Sequence, residues 1–214
     1  MKIKHHMSDE LLMAYAAAEL PEAFNLVIAA HLSMCDECRA RSMAFDALGG
    51  AVIEDSTCDM SAGSLETCLA RIGAMSQTDA PLARRQDSVL PAPLMDYVGG
   101  GVDSVKWRPL GMGVRQAILR TGDKGASARL LYIPAGASMP DHGHNGLELT
   151  LVLQGAFRDE ADRFARGDVE IADASVEHTP VAEAGEACIC LVATQGSLKF
   201  TALLPRLAQP FFRI

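Results

Sequence analysis

Apolar and polar positions change rhythm about one-third of the way along the chain. In the first part, apolar residues recur every three or four positions, the spacing that gathers them on one face of an α-helix. Leu12, Tyr15, Ala16 and Glu19 share such a face behind Ser8, which stands as an N-cap, with Asp9 and Glu10 favourably placed against the helix dipole. Pro21 restarts the chain at the first turn of a second helix, where Phe24, Val27, Ile28 and His31 keep the helical register. A third helix is predicted from about Asp36 to Ala51, with Cys38, Phe45, Leu48 and Val52 near one stripe. A fourth runs from Ser64 to Ile72, carries Leu65, Cys68, Leu69 and Ile72 on its apolar face, and ends at Gly73.

From Ser76 to Pro93 the chain is polar and rich in Pro, Ala and Arg, the composition of a linker. Short β-rich runs follow, punctuated by Gly and Pro: Val105–Trp107, Val114–Leu119, Arg129–Ile133, Glu148–Leu153, Glu170–Ala172, Ala187–Ala193 and Leu198–Leu203. Strands of that length and spacing predict a sandwich or small barrel. The expectation is an all-α domain over residues 1–79, a linker over 80–93 and an all-β domain over 94–214. No internal repeat is visible.

Composition narrows the function classes. With 49% of its 214 residues apolar, the chain is not mostly disordered. Nineteen basic against 27 acidic residues leave a net charge of −8, which disfavours direct DNA binding through phosphate contacts. The excess is local: residues 1–79 hold five basic and twelve acidic side chains, so the helical part could attract a basic partner. No apolar run approaches the roughly 18 residues of a membrane span. Lys2 and Lys4 followed by Leu11 to Ala18 suggest a secretory signal, but Asp9 and Glu10 stand where such a signal carries no acids. A cytoplasmic location is expected, and the six cysteines read as metal ligands or redox groups rather than disulfides.

Two constellations carry the chemistry. His31, Cys35 and Cys38 stand at offsets of zero, four and seven, continuing the apolar face of Phe24, Val27 and Ile28. Two thiolates and an imidazole suit a tetrahedral zinc ion, with His5 or His6 as the source of a fourth ligand. A metal there would staple three short helices. A redox Cys-x-x-Cys and a pair of ordinary buried cysteines are the competing readings, and the first expects a strand-to-helix turn absent here. In the second constellation, His142 and His144 are two apart and point to one side of a strand. Glu148 follows across Asn145-Gly146 and can return to that side, which makes a facial set for a divalent ion. Exposed loop histidines are the bland alternative. Cys188 and Cys190 also share one face of a strand, as small core residues or as an oxidant-sensitive pair.

Gly136, His142, His144, Glu148 and Gly155 match the spacing of the first motif of the cupin family. Gly167 opens a match to the second motif and puts His178 at its histidine, although Asp173, Ser175 and Ala182 replace the usual Pro, Gly and Asn. The two constellations in this order resemble the ChrR-type zinc-binding anti-sigma factors. That resemblance implies an N-terminal zinc-binding helical bundle followed by a cupin barrel, a double-stranded β-helix. It implies a first zinc on His6, His31, Cys35 and Cys38, and a second metal, zinc with iron or manganese as alternatives, on His142, His144, Glu148 and His178. It implies a partner, a sigma factor of the extracytoplasmic-function group, held by the helical domain. Release is then expected on a signal such as singlet oxygen or organic hydroperoxide that requires the cupin. The rival reading is a cupin dioxygenase acting on a small diketone, for which an acidic helical domain has no evident use.

Overall fold

A computed structural model describes residues 2–74, 87–122, 125–196 and 198–200; residues 80–86 of the expected linker and 201–214 of the expected barrel lie outside them. Among the described residues, five α-helices precede twelve short strands. Helix α1 spans Asp9–Ala16, and the Ser8 hydroxyl accepts the Leu11 N–H at 3.3 Å, the cap anticipated from the sequence. Helix α2 spans Glu22–Met34 behind Pro21. Cys35, in an extended conformation, closes α2 and caps α3, which runs Asp36–Asp55 and so continues past the predicted end. Helix α4 spans Ser64–Ala74, where none of its residues is buried, so its apolar stripe is not core.

A fifth helix, α5 at Ala92–Val98, was not anticipated. Pro91 and Pro93 made the segment read as linker, yet proline is tolerated where a helix's first N–H groups have no partner. Asp87 anchors its approach by accepting the N–H groups of Val89 and Leu90, both at 2.7 Å, and of Val102 at 3.1 Å. Val89, Leu90, Leu94 and Met95 are buried.

The strands form one six-stranded antiparallel sheet in the order β1-β2-β3-β11-β5-β8 and two three-stranded sheets, β10-β6-β7 and β12-β4-β9. In the large sheet β1 is Arg108–Gly111, β2 Val114–Ile118, β3 Ala126–Ile133, β5 Glu148–Gln154, β8 Val169–Ala172 and β11 Cys188–Gln195. The smaller sheets use β4 at His142–His144, β6 at Ala156–Arg158, β7 at Arg163–Ala165, β9 at Glu177–His178, β10 at Val181–Ala182 and β12 at Leu198–Phe200. The expected strand Val105–Trp107 is not formed, and pairing begins just beyond it at Arg108.

Burial on both faces explains why β5 and β11 read as continuous apolar runs rather than alternating ones. Val152, Cys188, Cys190 and Val192 pack toward Phe157, Phe164 and Ala182 of the small sheet. On the opposite face, Leu149, Leu151, Leu153, Ile189 and Leu191 join one core with Phe24, Val27 and Ile28 of α2. Helix α2 is accordingly buried nearly all round, as a helix between two layers must be. Among the described residues, no helix is long and apolar enough to cross a membrane.

Candidate functional site

The break between α2 and α3 creates the first cluster. His31 lies in the last turn of α2, Cys35 at the break and Cys38 in the first turn of α3, while His6 arrives on the extended segment before α1. One nitrogen or sulfur from each of the four lies within 4.8 Å of every other. His6 Nδ1 stands 3.3 Å from Cys35 Sγ and 3.5 Å from Cys38 Sγ, and the Cys38 N–H points at Cys35 Sγ at 3.4 Å. His6 Nε2 faces the Glu37 carboxylate at 3.5 Å. His5 turns away: its ring lies 4.4 Å from that of Phe164 and its Nε2 3.6 Å from Asp162.

The residues fit a metal ion. His31 is fully buried, and its Nδ1 is 3.0 Å from the carbonyl oxygen of Gly167. A carbonyl only accepts, so Nδ1 carries the proton and the lone pair is on Nε2, which is buried with no hydrogen-bond partner. An orphaned imidazole nitrogen beside two sulfurs is the donor geometry a cation completes, and a carbonyl on the other ring nitrogen is the usual outer support. Burial pulls the His31 imidazole down to about 4, which keeps it neutral, and pushes the Cys38 thiol up to about 11. The thiol therefore needs a cation to ionise near neutral pH.

The second set of expected ligands lies on β4, β5 and β9. His142 and His178 face each other across the β4–β9 pair with ring centroids 4.7 Å apart. Glu148 opens β5, is buried, and accepts the Thr150 hydroxyl at 3.3 Å. His144 lies two positions beyond His142 on β4, opposite Leu198; its side chain lies outside the described residues. His142 donates from Nδ1 to the Pro140 carbonyl at 2.8 Å, which puts its lone pair on Nε2.

Sequence reasoning missed two carboxylates beside His178. Its Nδ1 is 2.9 Å from Glu170 Oε1 and 3.1 Å from Asp159 Oδ2, and these three residues also form a set able to hold a metal. Burial alone would lower the His178 imidazole, but Glu170 and then Asp159 override it and raise it to about 9. Burial raises Glu170 to about 7. An acid within the strand Val169–Ala172, buried on the side of His178, was the available signal. Cys188 and Cys190 do share a face, with their sulfurs 3.5 Å apart and both buried.

Comparison with known proteins decides the family. The chain is 61% identical, over the full length of both, to the anti-sigma-E factor ChrR of Cereibacter sphaeroides. It belongs to the ChrR family. The family's cupin-like domain matches residues 98–198. The crystal structure of Rhodobacter sphaeroides SigE in complex with the anti-sigma ChrR contains a chain 59% identical, with a TM-score of 0.80, covering 91% of this chain and 100% of that one. A cupin protein from Ralstonia eutropha is 25% identical over 48% of this chain and 71% of that one, with a TM-score of 0.41. By the family-model match the β-rich part of this ChrR-family member is cupin-like, and its helices precede it in the chain.

Proposed function

We propose that this chain is an anti-sigma factor that sequesters a sigma factor of the extracytoplasmic-function group and releases it under oxidative stress sensed through the cupin domain. The observation that carries the reading is apolar surface on the helical part. Leu48, Val52 and Ile53 of α3 and Leu65, Leu69 and Ile72 of α4 are all between 56% and 74% exposed. Amphipathic helices with so much uncovered apolar area mark sites of protein contact. Full-length likeness to an anti-sigma-E factor, and to a chain crystallised with SigE, supports the same partner.

In this reading His6, His31, Cys35 and Cys38 hold zinc, since two sulfurs and two nitrogens suit its tetrahedral preference. Bound zinc would supply the positive charge that keeps both thiolates ionised. The chain's own part is to bring the N-terminal segment, α2 and α3 to one point. His142, His144, Glu148 and His178 hold a second metal, zinc with iron or manganese as alternatives, inside a double-stranded β-helix barrel, and Glu170 and Asp159 orient His178. Co-expression with a sigma factor of this group, followed by purification and metal analysis, tests the reading. A stable complex carrying zinc is expected. A folded, zinc-loaded chain that leaves the sigma factor active would overturn it.

A further inference from the structure

The corner between β7 and β8, which holds the first glycine of the second motif, touches both clusters. Residues before His6 run alongside the start of β8, where the Val169 N–H donates to the His5 carbonyl at 3.2 Å. Asp168, 3% exposed, accepts the Lys4 and His5 N–H groups on Oδ1 at 2.6 and 3.0 Å. Its Oδ2 accepts the Ala165 N–H at 2.8 Å, which closes the corner. Gly167 gives its carbonyl to His31 and comes so close to the N-terminal segment that a Cβ there would sit 2.7 Å from Ile3 Cδ1. The corner is pinned to β5 in turn: Gly167 N–H donates to the Val152 carbonyl at 2.8 Å, and Val152 N–H to the Asp168 carbonyl at 3.1 Å. Two residues beyond Asp168, Glu170 meets His178 at 2.9 Å.

We propose that Asp168 is a positioning residue of the His6–His31–Cys35–Cys38 centre, and that the run from Gly167 to Glu170 couples this centre to the cupin cluster. Gly167 sets the ring nitrogen that His31 presents, Asp168 fixes the backbone that delivers His6, and Glu170 sets the nitrogen that His178 presents. A displacement of β8 at Glu170 therefore moves the supports of two ligands of the helical centre. Asp168 serves through charge-assisted bonds to three backbone N–H groups, which a neutral amide cannot reproduce because one of its two heads only donates. The inference rests on the four residues being metal ligands.

The full chain loaded with Co(II) reports on it, because cobalt bound to Cys35 and Cys38 gives a thiolate charge-transfer band. In Asp168→Asn, chelator competition should show cobalt held about 10- to 100-fold more weakly at that band, the usual loss when an outer support is removed. Asp162→Asn, on the same side of the fold, where the carboxylate faces the His5 ring and accepts the Arg163 N–H but reaches no ligand of the centre, should match wild type. A role confined to fold stability would lower the melting temperature and leave affinity below it unchanged. Should Asp168→Asn fail to fold, Lys4→Pro removes one N–H from Asp168 and should weaken the band at least about threefold. For the coupling, Glu170→Gln should shift cobalt affinity at the thiolate band by about fivefold or more, and that shift should vanish in the Asp168→Asn background. Wild-type affinity in Asp168→Asn, or in Lys4→Pro if that is the variant that folds, overturns the positioning role; a silent Glu170→Gln overturns the coupling. A wild-type chain with no thiolate band overturns the ligand reading and this inference with it.

Discussion

The Nδ1 atom of His31 lies 3.0 Å from the carbonyl oxygen of Gly167, a residue 136 positions later in the chain. A histidine in the last turn of α2 is thus held by the corner that opens β8. The bond crosses from helices to sheets, as does the core beneath it, where Phe24, Val27 and Ile28 share one cluster with Leu149, Leu151 and Leu191.

A shared core predicts shared unfolding. Calorimetry of the full chain should show α1–α3 and the six-stranded sheet melting in one transition. Ile28→Ala, at a fully buried position, should cost about 2–5 kcal/mol and shift that whole transition down by about 5–15 °C. Two resolved transitions, with only one shifted, would contradict it.

The exposed stripe of α4 predicts the opposite balance. Leu69 is 58% exposed, so Leu69→Glu should change stability by less than about 0.5 kcal/mol. If the stripe contacts a sigma factor, the same change should weaken binding about 10- to 100-fold, the loss typical of an interface anchor. Melting curves and a binding titration on one preparation separate the two.

How legible was this in the sequence? Helix faces and ligand spacings were readable because they repeat with the period of the backbone: Ser8 caps α1, and His31, Cys35 and Cys38 converge. Periodicity says which side of a helix is apolar but not what covers it, so the α4 stripe was legible as an apolar face while its exposure was not. Helix α5 was hidden by Pro91 and Pro93, which mark linkers and first turns alike. Strands of two to four residues such as β9 and β10 are too short to show alternation. The support that Gly167 gives His31 left no trace at all, since a backbone carbonyl has no side-chain signature.

The sheet of β6, β7 and β10 has a pH-sensitive clamp. Glu183 accepts Arg163 at 2.7 Å and Arg158 at 3.0 Å, and these guanidinium groups hold its carboxyl down at about 2. Its folded value lies below the unfolded one, so the stabilisation is complete above about pH 4.5 and disappears as pH falls toward 2. Glu183→Gln should melt below wild type at pH 7, and the gap should close between pH 4.5 and 2. A gap that stays constant over that range would refute the clamp.

Cysteine labelling should sort the six thiols by burial. Cys58 and Cys68 are exposed and should alkylate in the native chain, whereas Cys188 and Cys190 should react only on unfolding. Cys35 and Cys38 are buried and, as metal ligands, should become reactive only once a chelator has removed the ion. Mass spectrometry after brief iodoacetamide treatment, with and without chelator, reads all three classes.

The choice between two adjacent histidines gives a sharp test of the first centre. His6 Nδ1 reaches both Cys35 and Cys38, while His5 packs on Phe164 and faces Asp162. His6→Ala should lower zinc affinity by at least about tenfold, because it removes an inner ligand where an outer one already counts for that much. His5→Ala keeps the backbone N–H that Asp168 accepts, so its zinc content should stay at the wild-type value. Chelator competition on both variants decides the matter: equal losses would mean that the segment matters only as a tether, and a larger loss in His5→Ala would reverse the assignment.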